Sequence, residues 1–161
     1  MAPITNRHVF GWKCEKILQP FLEKHLGETL SKTSNRFNSI DYRGNNCIAE
    51  LKSRPTLDER GNKQDSKTYE TWLLPSCKVI QRRTREDGVS KRVWITDKHN
   101  IYFFYFWESD NSLWFLKYDR QLFKTFLRGV PVFSEQEHFF IPSHHFQRLD
   151  YIIPEIPAES S

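Results

Sequence analysis

The stretch FNSIDYRGNNCIAELKSR, residues 37–54, decides how this sequence folds and where its chemistry sits. It reads as two short strands around a turn, yet Asp41, Glu50 and Lys52 fall among Phe37, Ile40, Tyr42, Ile48, Ala49 and Leu51. Charges enter a sheet interior only when they are paired or hold a metal. Side chains alternate across a strand, so Ile48, Glu50, Lys52 and Arg54 share one face. Gly44-Asn45 suits a tight turn with glycine at its first central position, which pairs Arg43 with Asn46 and sets Asp41 opposite Ile48. Asp41 then lies on the face of Glu50 and Lys52, diagonal to Glu50 at roughly 7–8 Å. A slip of one residue would turn it to the other face.

Two carboxylates gathered in a partly apolar place repel, and one of them keeps its proton unless a cation intervenes. Mg2+ is a hard ion that takes carboxylate, carbonyl and water oxygens. The expected ligands are one oxygen each from Asp41 and Glu50, the backbone carbonyl of Leu51, and waters, with Mn2+ able to substitute. A cation so held activates water and offsets charge on a phosphoryl group. Lys52, two residues beyond Glu50 on the same face, is placed to orient that water or stabilise developing charge. The letters alone carry little, since Asp65-Ser66-Lys67 has the same spacing in a polar loop. On the pattern alone two readings stand: a divalent-cation site, or an exposed cross-strand ion pair of small energetic weight.

Around the hairpin the chain alternates helical and strand signals. Cys14, Ile17, Leu18, Phe21, Leu22 and Leu26 recur at helical spacing, with Pro20 in their midst. Residues 56–68 are polar and punctuated, and predict a mobile loop. In TWLLPSCKVIQRRTRED, Pro75 suits the first turn of a helix running to about Arg85. IYFFYFW, residues 101–107, is a strand buried on both faces, and LWFLKY after ESDNS makes it a hairpin. Asp119 caps a short helix over 119–128, HFFI gives a further strand, and PSHHFQRL a final turn. His138, His144 and His145 lack HExxH spacing, and a zinc site is not expected.

The whole is 161 residues, enough for one domain with its own core. The excess of 24 Lys and Arg over 20 Asp and Glu is mild and compatible with a polyanionic partner. Three cysteines without CxxC spacing argue against a disulfide framework or zinc ribbon and for a reducing, intracellular compartment, cytoplasm or nucleus. Neither a secretion signal nor a membrane span is expected. The tail over 154–161 is Pro-rich and expected to be disordered, leaving a domain over 1–153.

A leading helix, FNSID, IAELKSR, a helix and further strands, over roughly residues 10–107, together resemble the PD-(D/E)xK nuclease superfamily. The resemblance implies a restriction-endonuclease-like α/β fold, a mixed sheet flanked by helices in the order αβββαβ. It implies that Asp41 and Glu50 are metal ligands, that Lys52 is the catalytic lysine, and that the chain is a Mg2+-dependent deoxyribonuclease acting on DNA. Ile40 stands where the family name has proline. Such nucleases often add a carboxylate from the leading helix. Glu15 lies at the edge of its apolar stripe and Glu23 well outside it, which favours Glu15 as a further ligand. They also often place a basic residue from the next helix near the site. Lys78 is that candidate, with Gln81, Arg82 and Arg85 on the same helical face as phosphate contacts. Tyr69 and Trp72 suit either base stacking or core packing. Family members often dimerise, and the aromatic hairpin at 101–118 is the candidate homodimer surface. The competing reading is a non-catalytic nucleic-acid-binding or assembly protein that kept the fold.

Overall fold

Cys14, Leu18 and Leu22 fall on one stripe of the first helix, α1 (Asn6–Leu26), and are fully buried. Pro20 lies within this helix without ending it. Gly27 ends it in the left-handed conformation at φ +71°, its N–H donating to the Glu23 carbonyl at 2.8 Å. The computed structural model describes residues 6–32, 41–128 and 138–157, without the side chains of residues 6, 7, 82–84, 90 and 92. Phe37 and Ile40 therefore lie outside the described residues.

Beyond α1 come β1 (Ser31–Lys32), β2 (Tyr42–Arg43), β3 (Ile48–Arg54), β4 (Thr71–Pro75), β5 (Ile80–Thr84) and β6 (Ser90–Trp94). They are followed by β7 (Ile101–Trp107), β8 (Ser112–Lys117), α2 (Arg120–Thr125), β9 (Leu127–Arg128), β10 (His138–Pro142) and β11 (Gln147–Leu149). The main sheet has six strands in the order β1-β2-β3-β7-β8-β11. Its β3 and β7 run parallel and its other neighbours antiparallel, so the chain is a single α/β domain on a mixed sheet.

The central position of β7 explains its unbroken apolar run. Phe104 and Phe106 join Ala49, Leu51 and the stripe of α1 in one core. Phe103, Tyr105 and Trp107 join Trp72, Leu74, Phe123 and Phe139 in the other. A strand covered on both faces has no polar face to alternate with. Its burial also corrects the expectation that this hairpin is a dimer surface. Asp119 caps α2 by accepting from Gln121 N and Leu122 N at 2.9 and 3.3 Å. The helix stops at Thr125, and Leu127–Arg128 turns into a strand.

Other expectations are corrected too. Residues 75–85 are not a helix: Pro75 ends β4, Ser76–Lys78 makes one 3-10 turn, and Ile80–Thr84 is β5. Val79, Ile80 and Thr84 are β-branched, and IQRRT finds a partner in SKRVW across a turn at Gly88, φ +83°. The connection between parallel β3 and β7 thus carries strands where the αβββαβ order has a helix. The hairpin register differs by two residues, with Tyr42 opposite Ala49 and Arg43 opposite Ile48. Gly44 N–H donates to the Cys47 carbonyl at 2.9 Å, so Asn45 and Asn46 form the tip, one residue later than expected. Gly44 serves close approach instead of a positive φ: a Cβ there would lie 2.0 Å from Glu28 Oε1. The 56–68 loop is tied down by its own bonds, Asp58 Oδ1 accepting from Arg60 N and Asn62 N while buried Gln64 donates to the Pro55 carbonyl. In the tail, Ile153 and Ile156 are buried in the α1-side core, so Pro154–Pro157 is ordered structure; residues 158–161 lie outside those described.

Candidate active site

Asp41 stands just before β2, where the strand pairing to β3 stops. Its carboxylate takes the place of the next backbone rung, Oδ2 accepting from Leu51 N–H at 2.9 Å. The N–H and C=O of one strand residue face the same edge, so the Leu51 carbonyl also faces the Asp41 side of β3. Extending the observed register by one step sets Asp41 directly opposite Glu50. The slip of two residues is even, so Asp41 keeps the face of Glu50 and comes nearer to it.

Glu50 is only 5% exposed, and its Oε2 is buried. The Lys78 ammonium pairs with that oxygen at 3.2 Å. Burial, then the adjacent Asp41 charge, push the Glu50 carboxyl up to about 9 against the opposing pull of Lys78. Glu50 thus carries its proton at neutral pH, with Asp41 within hydrogen-bonding reach of it. Lys78 is raised as well: burial disfavours its charge, but Glu50 and Asp41 outweigh that and lift it above the ordinary lysine range. Lys52 lies two residues beyond Glu50, partly buried and level with Tyr105 of β7.

Glu15 reaches the edge of this cluster from α1. Its Oε2 is paired with Lys32 Nζ at 2.8 Å, and burial raises its carboxyl, with the Asp41 charge adding to the effect. Glu23 serves a different purpose, accepting the Leu30 N–H at 2.8 Å to hold the chain after the helix. The Tyr42 hydroxyl donates to the Glu15 carbonyl and ties α1 to β2. Lys32 was not foreseen, because a lone lysine on a two-residue strand has no pattern to reveal it.

The structure brings Asp41, Glu50 and Lys78 together and sets Glu15 at their margin; Gln81 and Arg82 lie on β5 and Arg85 on the turn beyond it. Gln81 and Arg85 are exposed; the Arg82 side chain lies outside those described. Trp72 is a core residue at 1% exposure, whereas Tyr69 is 44% exposed. No group of three or more His, Cys, Asp or Glu side chains is arranged to hold a metal among the described residues, the histidines of 138–145 included. Asp41 and Glu50 are thus a two-carboxylate pair, which suits an ion that keeps most of its waters. A cleft of about 1020 Å³ opens past the end of β3, lined by Arg54, Tyr69, Trp72, Tyr105 and Trp107. The carboxylate pair does not line it. No helix among the described residues is long and apolar enough to cross a membrane, and all three cysteines are free.

No family model and no curated protein matches this sequence. A solved structure that it resembles is a bacterial homing endonuclease, I-Ssp6803I, at 11% identity and a TM-score of 0.39, over 70% of each chain.

Proposed function

We propose that this protein is a metal-dependent nuclease that hydrolyses phosphodiester bonds of DNA, with Mg2+ as its ion and Mn2+ able to replace it. The observation that carries the reading is Glu50: an acid only 5% exposed, beside the carboxylate of Asp41, with the Lys78 ammonium 3.2 Å from its Oε2. Burying two acids side by side costs stability, and such arrangements cluster where a function requires them. The donor set fits a hard divalent cation. Asp41, Glu50 and the Leu51 carbonyl would hold it, and it would supply an activated water and charge compensation for the phosphoryl group.

The chain's own side chains have separate tasks. Asp41 fixes its orientation by accepting the Leu51 N–H, leaving its other oxygen for the ion. Glu50 must release its proton before it can ligate. Lys78, held near Glu50 Oε2, stabilises that ionised form and offers a cation to a phosphate oxygen. Lys52 lies on the same face and orients the attacking water, while Glu15, paired with Lys32, tunes the field around Asp41. The test is cleavage of labelled single-stranded, duplex and branched DNA with Mg2+ or Mn2+. Cleavage should be lost on chelation and fall at least about 100-fold in Glu50→Gln and Lys52→Ala. Undiminished cleavage by both variants would refute the assignment.

A further inference from the structure

The strands β5 and β6 pair only with each other among the described residues, forming a two-stranded ribbon apart from both larger sheets. Its sequence, IQRRTREDGVSKRVW over residues 80–94, holds Arg82, Arg83, Arg85, Lys91 and Arg92 against Glu86 and Asp87. The register sets Arg82 opposite Arg92 and Arg83 opposite Lys91. Like charges at directly opposed register positions disfavour a ribbon. By the period-two alternation of strands, these successive pairs belong to opposite faces. By register the ribbon thus holds basic residues at two successive opposed positions, a concentration of positive charge that suits a polyanion.

The ribbon is rooted at the carboxylate pair. Lys78, two residues before β5, lies 3.2 Å from Glu50 Oε2. Val79 is buried, and its carbonyl accepts the Ile95 N–H at 2.8 Å, clamping both ends of the ribbon together. Trp94 packs on Phe139 with ring centroids 5.7 Å apart. Away from this root, Gln81, Arg85, Glu86, Asp87, Val89 and Lys91 are exposed. At the tip Asp87 is taken up by Arg85 at 3.2 Å.

We propose that this ribbon is a duplex-binding arm that enters the major groove of double-stranded DNA beside the bond to be cut. The inference rests on the nuclease reading for its choice of ligand, and makes duplex DNA the substrate class. Strands of this length span about 17 Å, and a major groove about 12 Å wide and about 8.5 Å deep admits a two-stranded ribbon.

The test is duplex binding in EDTA, followed by fluorescence anisotropy across a salt series, with the separated strand as comparison. Wild type should bind duplex at least about tenfold more tightly than the single strand. The double variant Lys91→Glu/Arg92→Glu sets an acid opposite an arginine at both register positions. Its melting temperature should therefore hold or rise while its duplex affinity falls about 100-fold and the salt slope flattens by about 2. Should that variant not fold, Arg82→Gln/Lys91→Gln relieves the repulsion without adding acid, and affinity should again fall. Wild-type duplex affinity in a folded variant, or equal binding of the single strand, overturns the proposal. Cleavage and affinity that survive in Lys91→Glu/Arg92→Glu refute the arm and leave the carboxylate site standing. Ribbon-dependent duplex binding without any Mg2+-dependent cleavage does the reverse, and favours a non-catalytic binding protein.

Discussion

Replacing Glu50 with glutamine should make the metal-free protein more stable at alkaline pH, although it removes a residue assigned to the active site. The folded-state carboxyl titrates at about 9, above an ordinary value of 4.5, because it is buried and faces Asp41. Between those values the folded chain binds a proton that the unfolded chain has released. Stability present in acid is therefore lost as pH rises toward 9, at a limiting slope of roughly 1.4 kcal/mol per pH unit. From pH 5 to pH 7 that amounts to about 3 kcal/mol, undiscounted for solvent because only 5% of Glu50 is exposed. Glutamine keeps the shape and the neutral hydrogen bonding of the protonated acid, and has nothing to titrate. Thermal melts of both proteins in EDTA, from pH 5 to pH 8.5, should diverge steadily, wild type falling relative to the variant. Mg2+ should rescue wild type most at the alkaline end, where ligation costs the least proton release, and leave the variant unchanged. Parallel pH profiles for the two proteins would refute the reasoning, since they would mean that Glu50 is already ionised in the fold.

Three further substitutions probe neighbouring links. Asp41→Asn keeps an oxygen for the Leu51 N–H but removes the charge beside Glu50. The Glu50 carboxyl should then titrate lower, metal-free stability near pH 8 should rise, and cleavage should fall at least about 100-fold. Lys78→Met removes the cation that draws Glu50 downward, so the carbon-13 signal of the Glu50 carboxyl should titrate at higher pH than in wild type; an unmoved midpoint would contradict the pairing. Asp119→Ala strips the N-cap of α2 and should cost about 1 kcal/mol in denaturant unfolding without touching cleavage.

The parts of the fold legible in the sequence were those where one residue pattern had one structural outcome. IYFFYFW could only be a strand covered on both faces, and the stripe through Cys14, Leu18 and Leu22 only a helix laid on the sheet. The 75–85 segment misled because Pro75 and the spacing of its basic residues both suit a helix. Its β-branched residues and the SKRVW partner beyond Gly88 decide for strands, and that partner is non-local information. The face shared by Asp41 and Glu50 was readable because alternation survives any even slip. Their direct opposition was not, since Gly44 serves the approach of Glu28 and the tip falls one residue later, at Asn45 and Asn46. The proximity of Lys78 to Glu50 followed from no spacing at all; the long connection from β3 to β7 folds it back over the sheet.

The central claim, that Asp41 and Glu50 together hold a divalent cation, is tested most directly by diffraction from crystals soaked in Mn2+ at pH 8. The account predicts an anomalous peak between the two carboxylates, within bonding distance of the Leu51 carbonyl and absent from crystals of Glu50→Gln. Wild-type crystals with no peak there, with Lys78 still seated against Glu50, would contradict it.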